Sequence, residues 1–164
     1  MMKLFKGPGD FAKFLREKSA TLEAAQAAGF RKGAAIVEAD AKARIGQYQD
    51  EAGPFPEWRD LADSTIANKE RHGYGVPDPL LRTGDMRDSI EASISPDGFT
   101  VGSTDPVALY QECGTEGPNA GADGWHVPPR PFLGPALFTN AEKVVDAAVE
   151  EVAVWLSSTR PNRW

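Results

Sequence analysis

The chain has 164 residues and a hydrophobic fraction of 41%, which suits one domain with one modest core. Its net charge of -6 argues against a protein that wraps nucleic acid by neutralising phosphates. No apolar run approaches the roughly 18 residues of a membrane span, the start Met1 to Pro8 lacks the apolar stretch of a secretory signal, and the single cysteine, Cys113, excludes an internal disulfide and suits a reducing cytoplasm.

The N-terminal third reads as helix. After Gly7-Pro8-Gly9, Asp10 is a candidate N-cap, and Phe11, Phe14, Leu15, Lys18 and Leu22 follow at helical spacing. The pattern continues through an alanine-rich stretch to Ile36, Val37, Ala41 and Ile45. Gly29 and Gly33 fall inside it. Each costs about 1 kcal/mol relative to alanine in a helix, so either the helix breaks there or another backbone approaches closely.

Gly53-Pro54-Phe55-Pro56 ends this region. Trp58, Leu61, Ala62, Thr65, Ile66 and Lys69 then predict a second helix, stopped at Gly73. Tyr74 to Pro79 reads as a loop, and Thr83 as the cap of a short turn over Met86 to Asp88. The hydrophobic period next changes to two. Ile90, Ala92 and Ile94 alternate with polar residues, Pro96-Asp97-Gly98 turns, and Phe99, Val101 and Ser103 return, which is a hairpin with one buried face. A lone hairpin is marginal in water, so this one must lie on helices or join a larger sheet.

Asp105-Pro106 is an N-cap with proline at the first helical position, and the helix it opens ends at Gly114. The glycine-rich stretch Thr115 to Gly124 reads as a loop, and the prolines of Val127 to Phe132 require extended chain. Pro135 opens the last helix, with Leu137, Ala141, Val144, Val145, Ala148, Val152, Trp155 and Leu156 as its apolar stripe. These elements predict an α+β fold: a long N-terminal helix and a C-terminal helix packed on a small antiparallel β-sheet. Residues 1–52 form the helical region and 53–164 the α+β core of the same single domain, with a loop at 115–127 and a tail at 158–164.

Residues that could carry chemistry are few. There is no phosphate-binding glycine loop, no paired cysteine motif and no H-E-x-x-H. His72, His126 and Cys113 lack metal-ligand spacing, so neither a metal nor a cofactor is expected. Cys113 sits at the predicted C-terminal end of a helix, where the dipole disfavours an anion, so it is a poor nucleophile. No catalytic residue is assigned, and the chain is not expected to be an enzyme.

The more specific signal is a series of motifs in order. It begins with Trp58-x-x-Leu61-x-x-x-Thr65-x-x-x-Lys69, followed by Leu81-Arg82-Thr83-Gly84-Asp85-Met86-Arg87-Asp88-Ser89-Ile90 and the hairpin. Tyr110-x-Glu112-x-Gly114-Thr115 and Pro129-Arg130-Pro131-Phe132-Leu133 come next, before a final helix. Over roughly residues 55 to 156 this succession resembles the virion-morphogenesis and tail-completion (neck) proteins of tailed bacteriophages. The loop from Glu116 to His126 is longer and more glycine-rich than that family leads one to expect.

The resemblance implies a structural connector at the head–tail junction of a virion, assembled in the bacterial cytoplasm. It implies a homo-oligomeric ring, six-fold or matched to the portal, contacting other neck and tail proteins. DNA would pass through its lumen without sequence-specific binding, and no membrane is involved. A tail terminator or minor tail protein is the nearest alternative, and a small hydrolase a distant one. Under this reading Trp58, Leu61 and Thr65 fasten the second helix, Thr83 and Gly84 make the tight entry to the hairpin, and Tyr110 and Glu112 share a helix flank. Arg130 is held outward between two prolines, and Phe132 anchors the extended segment. Plain packing is the simpler expectation for Trp58, Gly114 and Phe132. Arg130, with the terminal Arg160, Arg163 and Trp164, is the expected contact with another chain.

Overall fold

The computed structural model describes residues 7–115 and 127–159. The elements in chain order are helix α1 (Pro8–Arg44), helix α2 (Asp63–Arg71), the short helix α3 (Asp85–Asp88), strands β1 (Ile90–Ser95) and β2 (Gly98–Ser103), helix α4 (Pro106–Cys113) and helix α5 (Leu133–Thr159). The fold is α+β, with the long first and last helices and a two-stranded antiparallel sheet packed together.

α1 runs unbroken through both glycines. Its buried stripe is Gly29, Gly33, Ala34, Val37 and Ala41, nearly all small. A Cβ at Gly29 would lie 2.8 Å from the Ala148 Cα of α5, so the glycine is there because a second backbone touches the helix. The two helices are antiparallel. Thr21 meets Trp155, Lys32 meets Glu150 and Glu151, and Arg44 meets Thr139, so rising numbers on one pair with falling numbers on the other. The span from residue 21 to residue 44 is roughly 35 Å of helix. Polar pins lie at the far end, where Asp40 accepts from Arg44 at 2.9 Å and from the buried Asn140 at 3.1 Å.

The hairpin lies against α1. Its register pairs Ile90 with Ser103, Ala92 with Val101 and Ile94 with Phe99, which puts the apolar residues of both strands on one face. Ile90 is fully buried at the helix end of the hairpin, while Ile94 near the turn is exposed. The core gathers Val37, Ala41, Ile45, Trp58, Met86, Ile90, Phe132 and Ala136 from every part of the chain.

Several boundaries differ from the sequence expectation, each for a local reason. The residue before α1 is Gly7, with Pro8 at the first helical position, so Asp10 lies inside the first turn and meets the helix dipole rather than capping it. α2 begins at Asp63, so Trp58 and Leu61 belong to the extended chain before it. Trp58 is drawn out of the helix by its own buried hydrogen bond, Nε1 to the Pro131 carbonyl at 3.0 Å. Gly84, in the left-handed region at φ 99°, precedes α3, and Thr83 stands one residue further out. α5 starts at Leu133, two residues before Pro135, and continues through Ser158 and Thr159 where a tail is expected. Asp105 caps α4 as predicted, accepting from the Val107 N–H at 2.8 Å.

The stripe predicted for α5 is also redistributed. Ala136, Asn140, Val144, Ala148 and Trp155 face inward, whereas Leu137, Ala141, Val145 and Leu156 are exposed. The helix is apolar on more than one side, and α1 covers only one of them.

Candidate functional site

Most of the motif residues converge on the start of α5. Glu112, near the end of α4, sends its carboxylate across to that helix. Its Oε2 accepts from the N–H groups of Phe132 at 2.7 Å and Leu133 at 3.0 Å, and its Oε1 from Gly134 at 2.9 Å. The first N–H groups of a helix have no intrahelical acceptor, and a negative charge is favoured there. Glu112 therefore caps α5 from another helix. The extended segment is tied in on both sides. The Arg130 N–H donates to the Gln111 carbonyl at 2.7 Å, and the Pro131 carbonyl accepts from Trp58. Phe132 is fully buried beneath.

Gly114 and Thr115 close this cluster. Gly114 has φ 72°, and a Cβ on it would sit 2.9 Å from the Val127 carbonyl oxygen. The Thr115 N–H donates to that same carbonyl at 3.0 Å, and the Thr115 hydroxyl accepts from the Val127 N–H at 2.8 Å. Thus residues 115 and 127 are clasped together. The predicted loop between them falls at 116–126, outside the described residues, as do Arg160, Arg163 and Trp164.

Beside the cluster is a cavity of about 350 Å³. Leu61, Ala62, Thr65 and Lys69 line one wall, Leu80, Leu81 and Arg82 another, and Val107, Gln111, Val127 and Arg130 the rest. Two buried cations border it. Lys69 is only 4% exposed, and its ammonium donates to the carbonyls of Pro77, Asp78 and Leu81 at 3.0, 2.5 and 3.0 Å. Burial pushes its pKa down, with nearby Asp78 opposing and Arg82 adding to the shift. Arg130 is 6% exposed. Its Nε and Nη2 donate to the Arg59 carbonyl, and Nη2 also to the Asp60 carbonyl at 3.2 Å. Burial lowers its pKa as well, and Tyr48 partly opposes this. Neither cation has a carboxylate within ion-pairing distance among the described residues.

Arg130 is thus a correction to the sequence reading. The prolines hold it stiffly, but inward, against the chain that precedes α2. Trp58 fastens the extended segment rather than α2 itself. Tyr110 and Glu112 part company: Tyr110 is exposed on α4 while Glu112 turns to α5. Thr83 and Gly84 lie at the entry to α3 and the hairpin and do not line the cavity, although the preceding Arg82 does. Gln111 was missed, although it lies between two motif residues. Its Oε1 is buried without a hydrogen-bond partner and its side chain lines the cavity.

A second feature lies on the long helices. Grooves of about 340 and 490 Å³ share Phe30, Ala148 and Val149 and run along the α1–α5 seam. Leu137, Val145 and Val149 border them and are each about half exposed or more. α4 presents a separate apolar surface of Val107, Leu109 and Tyr110. Among the described residues no group of three or more His, Cys, Asp or Glu side chains could hold a metal ion, and no helix is long and apolar enough to cross a membrane.

Comparison with protein-family models, with curated proteins and with solved structures gives no match for this chain.

Proposed function

We propose that the chain is a structural connector at the head–tail junction of a tailed bacteriophage, acting as a ring around the DNA path. The observation that carries this reading is the pair of unlike apolar surfaces, one along α5 and one on α4. Contiguous exposed apolar surface on a small protein marks an interaction site. Two different surfaces on one subunit favour a head-to-tail contact, in which one patch meets the other patch of the next copy. Such contacts close into a ring when the rotation per step allows.

The motif series in the sequence supplies the location, and the net charge of -6 supports a lumen that lets DNA pass without holding its phosphates. The partners are then further copies of the chain and the neighbouring neck and tail proteins. Reconstruction of the assembled particle tests the proposal. Multiple copies around the particle axis, with α5 of one against α4 of the next, are expected. A single off-axis copy, or a lumen lined with lysine and arginine, would overturn it.

A further inference from the structure

The cavity between α2, α4 and the 127–131 segment holds an unbalanced charge. Burying a cation costs free energy unless it is paired and hydrogen-bonded. Lys69 uses its three N–H donors on three carbonyls, so its hydrogen bonds are complete although its charge is not paired. Arg130 uses Nε and Nη2, and Nη1 has no acceptor among the described residues. Gln111 has a buried amide oxygen with no donor facing it. That oxygen is shut away from solvent, so the N–H2 group is the end of the amide that can meet a ligand. The rest of the lining is the apolar Leu61, Ala62, Leu80, Leu81, Val107 and Val127, together with Thr65 and the exposed Arg82, whose Nη2 donates to the Asn68 side-chain oxygen.

We infer that this cavity binds an aliphatic carboxylate, its oxygens on Arg130 Nη1 and the Gln111 amide and its carbon stem against the leucines and valines. A guanidinium recognises a carboxylate by charge-assisted hydrogen bonds in its plane. The apolar walls suit a stem and exclude a fully hydrated ion. The site does not depend on the ring proposal, since it follows from the cavity and its buried charges alone. The carboxylate could belong to a free small acid or to a glutamate side chain of another chain, because both offer the same group on a similar stem.

Titration of the full chain with sodium butyrate, followed by calorimetry and amide chemical shifts, tests the inference. Butyrate is expected to bind and to shift Gln111, Arg130 and Val127. Butan-1-ol and butylamine, of similar shape without the negative charge, are expected to bind at least about tenfold more weakly, the equivalent of one charge-assisted hydrogen bond. Arg130→Gln should lose binding by a similar factor. That variant also strips a donor from the Arg59 and Asp60 carbonyls, so Val107→Glu provides a second test. Val107 is exposed in the first turn of α4, where an acidic residue is tolerated, and a carboxylate there would occupy the cavity and abolish butyrate binding with the circular dichroism unchanged. A blocked Ala-Glu-Ala peptide separates the two sources. Binding as tight as butyrate or tighter assigns the site to a protein-borne glutamate, and weaker binding to a free acid. No binding of butyrate, equal binding of butan-1-ol or butylamine, tighter binding of inorganic phosphate, or unchanged affinity in a folded variant would overturn the inference.

Discussion

Removing the Glu112 carboxylate would leave three backbone N–H groups at the start of α5 without an acceptor. Loss of a helix cap costs about 1 kcal/mol, and stranded buried donors add to it. Glu112→Ala is therefore expected to destabilise the fold by about 2–4 kcal/mol, read by urea unfolding. Glu112→Gln keeps one carbonyl acceptor and should cost less. Equal stability of Glu112→Ala and the parent would show that the cap is dispensable. Lys69 offers a prediction with a pH sign. Its pKa in the folded chain lies below the ordinary 10.5, chiefly because burial disfavours the charge. Between the folded value and 10.5 the native state binds fewer protons than the unfolded state, so this residue's contribution to stability rises with pH through that window. Lys69→Met should be less stable near neutrality by about 2–4 kcal/mol, because three carbonyls lose their donor. It should also lack the parent's Lys69-linked gain as pH is raised toward 10.5. Unfolding curves of both chains across that range check it; Lys32, whose pKa is raised by hydrogen bonds to Glu151 and Glu150, loses its contribution only above 10.5 and does so in both chains.

At the scale of elements, the α1–α5 seam depends on how closely two backbones approach. A methyl group at Gly29 would meet the Ala148 Cα at 2.8 Å, a backbone atom that moves only if the helices separate. At Gly33 the nearest atoms are side-chain carbons, Val144 Cγ1 at 3.1 Å and Phe99 Cε1 at 3.2 Å, which have room to adjust. Alanine gains about 1 kcal/mol over glycine in a helix at either position. Gly29→Ala is expected to lose more than it gains, by about 1–3 kcal/mol net, as overpacking does. Gly33→Ala should fall within about 1 kcal/mol of the parent. Thermal unfolding of the two variants side by side gives the comparison, and Gly29→Ala as the more stable of the pair would contradict the close approach.

For the whole molecule the question is what meets the apolar surfaces. Val145 and Val149 are each nearly 60% exposed, so charged residues there should leave the fold intact. If α5 forms a contact in the assembly, Val145→Glu with Val149→Glu should prevent incorporation into particles, while unfolding curves stay within about 0.5 kcal/mol of the parent. Particles that assemble with the double variant at parental yield would remove α5 from the interface. Leu109→Glu on α4 should produce the same defect if the contact is head-to-tail. Mixing the α5 and α4 variants should then rescue no complete ring, because each copy presents one damaged surface.

The sequence by itself determined the elements whose cause is local. The change of period from helical to alternating at Ile90 depends only on which residues face one side of a strand, and it correctly located the hairpin. The Asp105-Pro106 cap and the Gly73 and Gly114 stops act within a few residues of themselves, so they too were legible. Tertiary structure decided everything whose partner lies far along the chain. Gly29 and Gly33 left the choice between a break and a close approach open until α5 lay against them. Trp58 and Leu61 have helical spacing, but Trp58 is bonded to Pro131, 73 positions away, and the helix starts later. Arg130 was legible as stiff and as a candidate for recognition, but not as buried, because only the fold brings the Arg59 and Asp60 carbonyls to it. The same holds for Glu112. One carboxylate in a list of 24 acidic residues carries no address, and its role appears only when α4 ends beside the first N–H groups of α5.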